Sequence, residues 1–219
     1  MKSVNEQLDK LFCEWMQEAE KHGDSNFVCD GMVNGFNDWA GREMRIAFIG
    51  KDPHFKNVKD LEAGILNGED YRTYDIQELS TSERFWRNIL SWANGIAGTT
   101  DIPFAFVNIK KEAGSASVSN GTLRKYARRY QSFLKWQLQE IIRPNVIVCC
   151  GTSGIVMDEI YNDIEFQRMD ADGFVWYNQT ENLLLIATHH PTNRMSNEKM
   201  RSETVGAYNS FINRKQLNL

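Results

Sequence analysis

Arg45-Ile46-Ala47-Phe48-Ile49-Gly50-Lys51-Asp52-Pro53-His54-Phe55 decides how the rest of the chain is read. Ile46 to Ile49 form a short apolar run that stops at a glycine, and a carboxylate, a proline, an imidazole and an aromatic ring follow soon after. A run of that length bounded by Gly and Pro fits a strand buried on both faces; taken alone, the pattern leaves a buried piece of helix open. Open α/β proteins bind their ligands outside the carboxyl ends of the strands. Asp52 is therefore the first candidate for a working residue.

Working outward, the same unit recurs. Upstream, Val4, Leu8, Leu11, Phe12, Trp15, Met16 and Ala19 repeat at helical spacing and Gly23 sits where a C-cap glycine belongs. Asp24 to Gly41 is rich in Gly, Asn and Asp, and predicts an irregular lead-in. Downstream, a long polar connection from Lys56 to Ser80 precedes a helix carrying Phe85, Trp86, Ile89, Leu90 and Ala93, with Thr81 or Ser82 as its cap and Gly95 or Gly98 as its end. Further apolar runs, Phe104 to Val107, Val146 to Cys150 and Leu183 to Ala187, read as strands, with Phe174 to Tyr177 as a weaker one. Helices over about Thr122 to Ile142, from near Ile155 and over Glu198 to Asn213 complete the pattern. Strand, loop and helix in repetition predict a parallel sheet with right-handed crossovers and helices on both faces. All four prolines fall just before or just after the strands, where no ladder N–H is lost.

The 219 residues suit one domain, 1–219, with 1–43 as N-terminal helix and lead-in. A composition of 42% hydrophobic and 25% charged residues is that of a globular protein, and a formal charge of -4 gives no general attraction to polyanions. We find neither a signal-peptide core nor a span long enough for a bilayer, and expect a cytoplasmic protein without membrane contact. Cys13, Cys29, Cys149 and Cys150 lack metal-ligand spacing and read as buried reduced thiols, so no metal and no cofactor is expected.

In a parallel sheet the groups after the strands collect along one rim. That rim would hold Asp52 to Phe55, Asn108, the loop Gly151-Thr152-Ser153-Gly154 and His190, and three of the four histidines, His54, His189 and His190, fall at two strand exits. Ile49-Gly50-Lys51-Asp52-Pro53-His54-Phe55 resembles the water-activating motif of the uracil-DNA glycosylase superfamily, usually written GQDPYH. Thr188-His189-His190-Pro191-Thr192 resembles its distal HPS motif, and Phe106-Val107-Asn108-Ile109-Lys110 stands where that family keeps a base-reading asparagine. The likeness runs from about Met44 to Asn193 with the motif order kept. It implies a three-layer α/β/α fold around a mainly parallel four-stranded sheet, and hydrolysis of the N-glycosidic bond of a uracil-type base in DNA by a monomer.

The residues suit that chemistry. Breaking the bond builds positive charge on the sugar and negative charge on the base, which asks for a carboxylate on one side and a hydrogen-bond donor on the other. Asp52 would fill the first role and a neutral His190 the second. Asn108 offers both a donor and an acceptor to a pyrimidine edge, although a strand-end Asn also makes turns. The resemblance adds Gly50, Lys51, His54 and Phe55 around the base, although Phe55 reads better as a core residue. Lys110, Lys111, Ser153, Thr192 and Arg194 are the expected contacts to single-stranded or mismatched DNA. The Arg124, Lys125, Arg128, Arg129 cluster reads better as a solvated face.

The departures are specific. Lys51 replaces the family's glutamine, His54 its methyl-excluding tyrosine and Phe55 its histidine; Thr192 replaces the distal serine, and the leucine wedge is absent, with Arg194 or Met195 in its vicinity. The four-cysteine cluster of the iron-sulfur branches is missing as well. Two other readings stay open: a binding module that holds a nucleobase or nucleic acid in the same pocket without catalysis, and a nucleophile at Cys150 or Ser153 served by His190.

Overall fold

A computed structural model describes residues 3–33, 38–53, 69–100, 102–114 and 117–217. Helix α1 (Val4–Lys21) opens with a reciprocal cap, in which the Glu6 N–H donates to the Ser3 hydroxyl and the Ser3 N–H to the Glu6 carboxylate. Strands β1 (Val28–Cys29), β2 (Gly31–Val33) and β3 (Ile46–Gly50) follow. After β4 (Glu69–Asp70) a 3-10 turn, Tyr71–Thr73, leads to α2 (Ile76–Ser82) and α3 (Arg84–Ala97). Then come β5 (Phe104–Asn108), α4 (Asn120–Arg129) and α5 (Gln131–Lys135), the last continuing as a π-helical segment, Trp136–Ile142. β6 (Val146–Cys150), α6 (Ser153–Ile155) and a second π segment, Val156–Ile160, precede β7 (Gln167–Arg168), β8 (Val175–Asn178), β9 (Leu183–Thr188) and α7 (Asn197–Leu217).

The main sheet has seven strands in the order β2-β5-β3-β6-β9-β8-β7, rather than the expected four. The four predicted strands, β5, β3, β6 and β9, are its parallel centre, and antiparallel strands extend it on both sides. Of the extra strands, β8 matches the weaker run read over Phe174 to Tyr177, while β2 and β7 were hidden because each is short and takes its extended form from its neighbour. One of them, β2, lies in the stretch expected to be irregular, and β1 pairs with β4 in a separate two-stranded sheet.

Every residue of β3, β5 and β6 is buried, which is why these strands read as apolar runs without alternation. Alternate side chains serve two cores. Ala47, Ile49, Val107, Ile147 and Cys149 face Leu8, Leu11, Trp15, Leu134 and Leu138 of the first and fifth helices and the π segment. Ile46, Phe48, Phe104, Phe106 and Val148 face Ile76, Trp86, Ile89, Trp92 and Val205 on the other side. Each such aliphatic side chain contributes about 1.5–3 kcal/mol of burial, so the sheet centre is a rigid base for its rim.

Two boundary expectations change. Asp75, accepting from the Glu78 N–H at 3.1 Å, caps α2, and the chain then breaks at Glu83 to begin α3, so neither Thr81 nor Ser82 is a cap. The long helix over 122–142 starts at Asn120 with Ser119 as cap and is interrupted at Tyr130. Gly98, with φ of 68°, ends α3 in the left-handed turn expected of a C-terminal glycine. Among the described residues no helix is long and apolar enough to cross a membrane.

Candidate functional site

The four parallel strands end level with one another. Gly50 stands opposite Asn108 and Cys150 opposite Thr188, so Lys51, Asp52, Gly151 and His190 follow along one rim. Backbone bonds fix the exits. The Ile109 N–H donates to Gly50 O at 3.1 Å, the Lys110 N–H to Lys51 O at 2.9 Å and the Gly114 N–H to Pro53 O at 3.0 Å. On the other flank the Thr152 hydroxyl donates to Ile49 O at 2.8 Å, and the Gly151 N–H to Thr188 O at 2.8 Å. Gly151 turns with φ of 73°, a left-handed conformation that suits glycine. A side-chain carbon there would lie 3.8 Å from both the His190 backbone N and Lys51 Cε, which brings the first and last motifs together.

Gly50 and Asn108 form the wall. A Cβ at Gly50 would lie 2.6 Å from Asn108 Oδ1 and 2.7 Å from Phe106 Cζ, so only glycine leaves the amide its place. The Asn108 side chain is buried, and its Nδ2 has no hydrogen-bond partner among the described residues. A buried unpaired amide costs about 1–3 kcal/mol, and a ligand able to accept from Nδ2 would recover it.

His190 comes off β9 into a tight turn, with the Asn193 N–H donating to His190 O at 2.8 Å. The Thr192 N–H, which can only donate, reaches His190 Nδ1 at 3.3 Å, and the Thr192 hydroxyl lies 2.9 Å from the same nitrogen. A neutral ring that accepts at Nδ1 carries its proton on Nε2. Helix α3 holds this loop: Asn88 Nδ2 donates to Pro191 O at 2.7 Å, and the Arg84 guanidinium to Met195 O and, at 2.9 Å, to Asn197 Oδ1.

Aromatic rings connect the two ends of the rim. The half-buried Phe85 lies 5.7 Å from the His190 ring and 5.4 Å from Phe106, between centroids, and Trp86 and Tyr71 pack on Phe106 at 5.1 and 6.4 Å. Burial pushes the Tyr71 phenol well up, and neighbouring groups, Tyr74 first among them, push it the same way. Asp52 is half-buried. Sequence reasoning missed Phe85, since the apolar face of a helix looks the same whether it meets a core or a rim.

The remaining predicted residues divide. His54 and Phe55 lie outside the described residues. Ser153 is half-buried at the start of α6, and Thr192 and Arg194 are exposed on the His190 loop. Lys51 Nζ lies 3.5 Å from Asn120 Oδ1, across the rim. Lys110 is engaged by Glu112, at 2.7 Å to the carboxylate. His189 leaves the rim and pairs with Glu203 at 3.6 Å, beside a cavity of about 470 Å³ between α7 and the β8–β9 hairpin.

Lys111 is a correction. It was expected at a phosphate, yet it is fully buried, with Nζ 2.6 Å from Asp30 Oδ1 and 2.7 Å from Asn108 O. Burial pushes the Asp30 carboxyl up and the Lys111 ammonium down, each opposed by the attraction of the other. Arg124 and Arg128 are bound to Glu159, and Arg124 also to Asp158, in line with a surface rather than a phosphate role. Cys150 is buried, with its thiol pushed far up by desolvation, which argues against it as a nucleophile. Among the described residues no group of three His, Cys, Asp or Glu side chains is arranged to hold a metal ion.

No family model matches the chain, and no curated protein matches it.

Proposed function

We propose that this rim is the active centre of a uracil-DNA glycosylase-like hydrolase, which cleaves the N-glycosidic bond of a uracil-type base in DNA as a monomer. The observation that carries the reading is Asn108: a buried amide with an unpartnered Nδ2, seated against Gly50 on the rim that also bears Asp52 and His190. Its donor and acceptor suit the edge of a pyrimidine, and Phe85 offers a half-buried ring beside it for stacking.

The chemistry follows from the placement of charge. Asp52 holds a carboxylate where the sugar becomes cationic and orients a water toward it. His190 presents Nε2–H toward the base oxygen that becomes negative, and because the neutral ring already has its proton there, it stabilises charge without drawing one from solvent. The decisive assay is release of uracil from a single-stranded uracil oligonucleotide, read as alkali-labile abasic sites. Asp52→Ala and His190→Ala are each expected to slow release about a hundredfold or more. Absence of abasic sites with uracil, hypoxanthine and deaminated guanine, in single and double strands alike, would overturn the hydrolase reading.

One observation favours a second reading, a module that binds a nucleobase without cleaving it. Two of the basic side chains expected to grip phosphates are engaged, Lys111 by Asp30 and Lys110 by Glu112, and Arg124 and Arg128 on the solvated face are likewise held by Glu159. Uracil binding with no base release, unaffected by Asp52→Asn, is the result that selects it.

A further inference from the structure

We propose that Asp30 and Lys111 are positioning residues whose buried pair clamps the backbone of Asn108 and so aims its side-chain amide; this rests on the base-reading role given to Asn108 above. The clamp grips both polar atoms of one peptide position. The Asn108 N–H donates to Asp30 Oδ2 at 2.7 Å, and Lys111 Nζ donates to Asn108 O at 2.7 Å and to Asp30 Oδ1 at 2.6 Å. Gln137 Nε2 adds a donor to Asp30 Oδ1 at 2.9 Å. Asp30, Lys111 and Gln137 are all fully buried.

The sheet shows why side chains are needed here. Strands β2 and β5 pair antiparallel as Val33 with Phe104 and Gly31 with Phe106, and the same register would next bring Cys29 opposite Asn108. Cys29 is paired with Asp70 in the small sheet instead, the chain having turned away at Gly31, whose φ is 134°. Asn108 thus stands where its edge partner has departed, and the Asp30 carboxylate and Lys111 ammonium supply the acceptor and donor that a strand would have supplied.

The attraction between the two charges does not by itself explain the choice. Replacing a buried ion pair by apolar residues of similar size is often neutral or stabilising, because desolvating two charges offsets most of their attraction. The surroundings are instead built to accept the charge. Lys111 Nζ lies 5.2 Å from the Trp15 ring and 5.9 Å from the Phe12 ring, and Gln137 is delivered by a π-helical segment, an irregularity frequent at functional positions. The first helix and the π segment therefore pack around the two side chains that hold the Asn108 backbone, Phe12 and Trp15 beside Lys111 and Gln137 on Asp30.

Two double variants separate hydrogen bonding from charge. Asp30→Leu with Lys111→Met removes both partners of the Asn108 backbone, whereas Asp30→Asn with Lys111→Gln is uncharged but keeps one acceptor and one donor. The measurements are free uracil affinity and amide exchange at Asn108 relative to Val148 in the sheet centre. We expect the apolar pair to fold cooperatively, to bind uracil between about tenfold and a hundredfold more weakly, and to lose exchange protection at Asn108 alone. The polar neutral pair should restore both.

Wild-type affinity and protection in the apolar pair would overturn the proposal, and so would a loss of protection shared by Val148, which marks a merely structural role. Should the apolar pair not fold, Asp30→Asn/Lys111→Gln is compared with Asp30→Asn/Lys111→Met, which lacks the donor to the Asn108 carbonyl; equal affinity and equal protection in these two would also overturn it. If wild-type protein neither binds nor releases uracil, the proposed function falls, while exchange at Asn108 still distinguishes a clamped from an unclamped backbone.

Discussion

Gly50→Ala tests the wall of the site most directly. The added carbon would stand 2.6 Å from Asn108 Oδ1, 2.7 Å from Phe106 Cζ and 3.3 Å from Phe106 Cε2, whereas non-bonded carbon atoms rest about 3.5–4.0 Å apart. Something must move by about 1 Å. Phe106 is held by Phe85, Trp86 and Tyr71, while Asn108 Nδ2 is tied to nothing described, so the amide is the part that yields. Overpacking of this kind costs about 1–3 kcal/mol, and a displacement of about 1 Å at a recognition group costs about a hundredfold in rate.

These magnitudes decide how the result is read. A domain with about 5–15 kcal/mol of stability that loses about 1–3 remains almost wholly folded, so a hundredfold loss of base release cannot come from unfolding. Urea unfolding followed by tryptophan fluorescence gives the first quantity and single-turnover uracil release the second. Gly98→Ala is the control. It forces an alanine into φ of 68° with no atom within 4 Å, and should lose about 1 kcal/mol while keeping full activity. If Gly50→Ala retains wild-type release, or loses no more than Gly98→Ala, Asn108 does not read the base in the manner described.

Two further outcomes follow from buried and paired groups. Glu159 accepts from Arg128 and Arg124 at 2.8 to 2.9 Å, and these bonds, that from Arg128 foremost, hold its carboxyl below the usual range. A depressed folded value means the contribution is complete above the unfolded glutamate pKa of about 4.3 and disappears as pH falls through the folded value. Glu159→Gln should therefore be less stable than wild type at pH 7 and match it in strong acid, and a gap that stays constant across a pH series of urea melts would refute the assignment. Of the four thiols, Cys13 is exposed and the others are buried, with the Cys29 thiol pushed up to about 12. Native protein should thus yield one fast-reacting thiol with a disulfide reagent, and rapid modification of Cys150 would revive the nucleophile reading.

How much of this could be read from the sequence follows from where each signal resides. The centre of the sheet was legible because strands buried on both faces are apolar, and the placement of Asp52, Asn108 and His190 on one rim was legible because parallel strands bring their exits together. The edge strands were not, since two or three residues such as Gln167–Arg168 are extended only because β8 lies beside them. Lys111 misled for a physical reason: a lysine just past a strand looks alike in solvent or beneath the sheet, and its partner Asp30 is 81 residues away. A trace of it was present all the same. Asp30 is the one charge between Phe27-Val28-Cys29 and Met32-Val33, and a charge inside an apolar run implies a buried partner.

The distribution of charge also bears on the kind of substrate the rim can serve. Drawing a base out of a duplex costs a few kcal/mol, and proteins that do so recover it from a filled stack and from phosphates held along a basic groove. Here the net charge is -4, and Lys110, Arg124 and Arg128 each carry a carboxylate partner. Arg194 is exposed beside His190, and Lys51 reaches across the rim. Among the described residues few cations are free of a carboxylate near this rim, so under the function proposed above the binding energy would come from the pocket itself, from the Asn108 amide and the ring of Phe85. A site supplied in that way is suited to a base already out of its stack, in single-stranded or mismatched DNA, and that is the same requirement that makes the exact seating of Asn108 matter more than the charge around it.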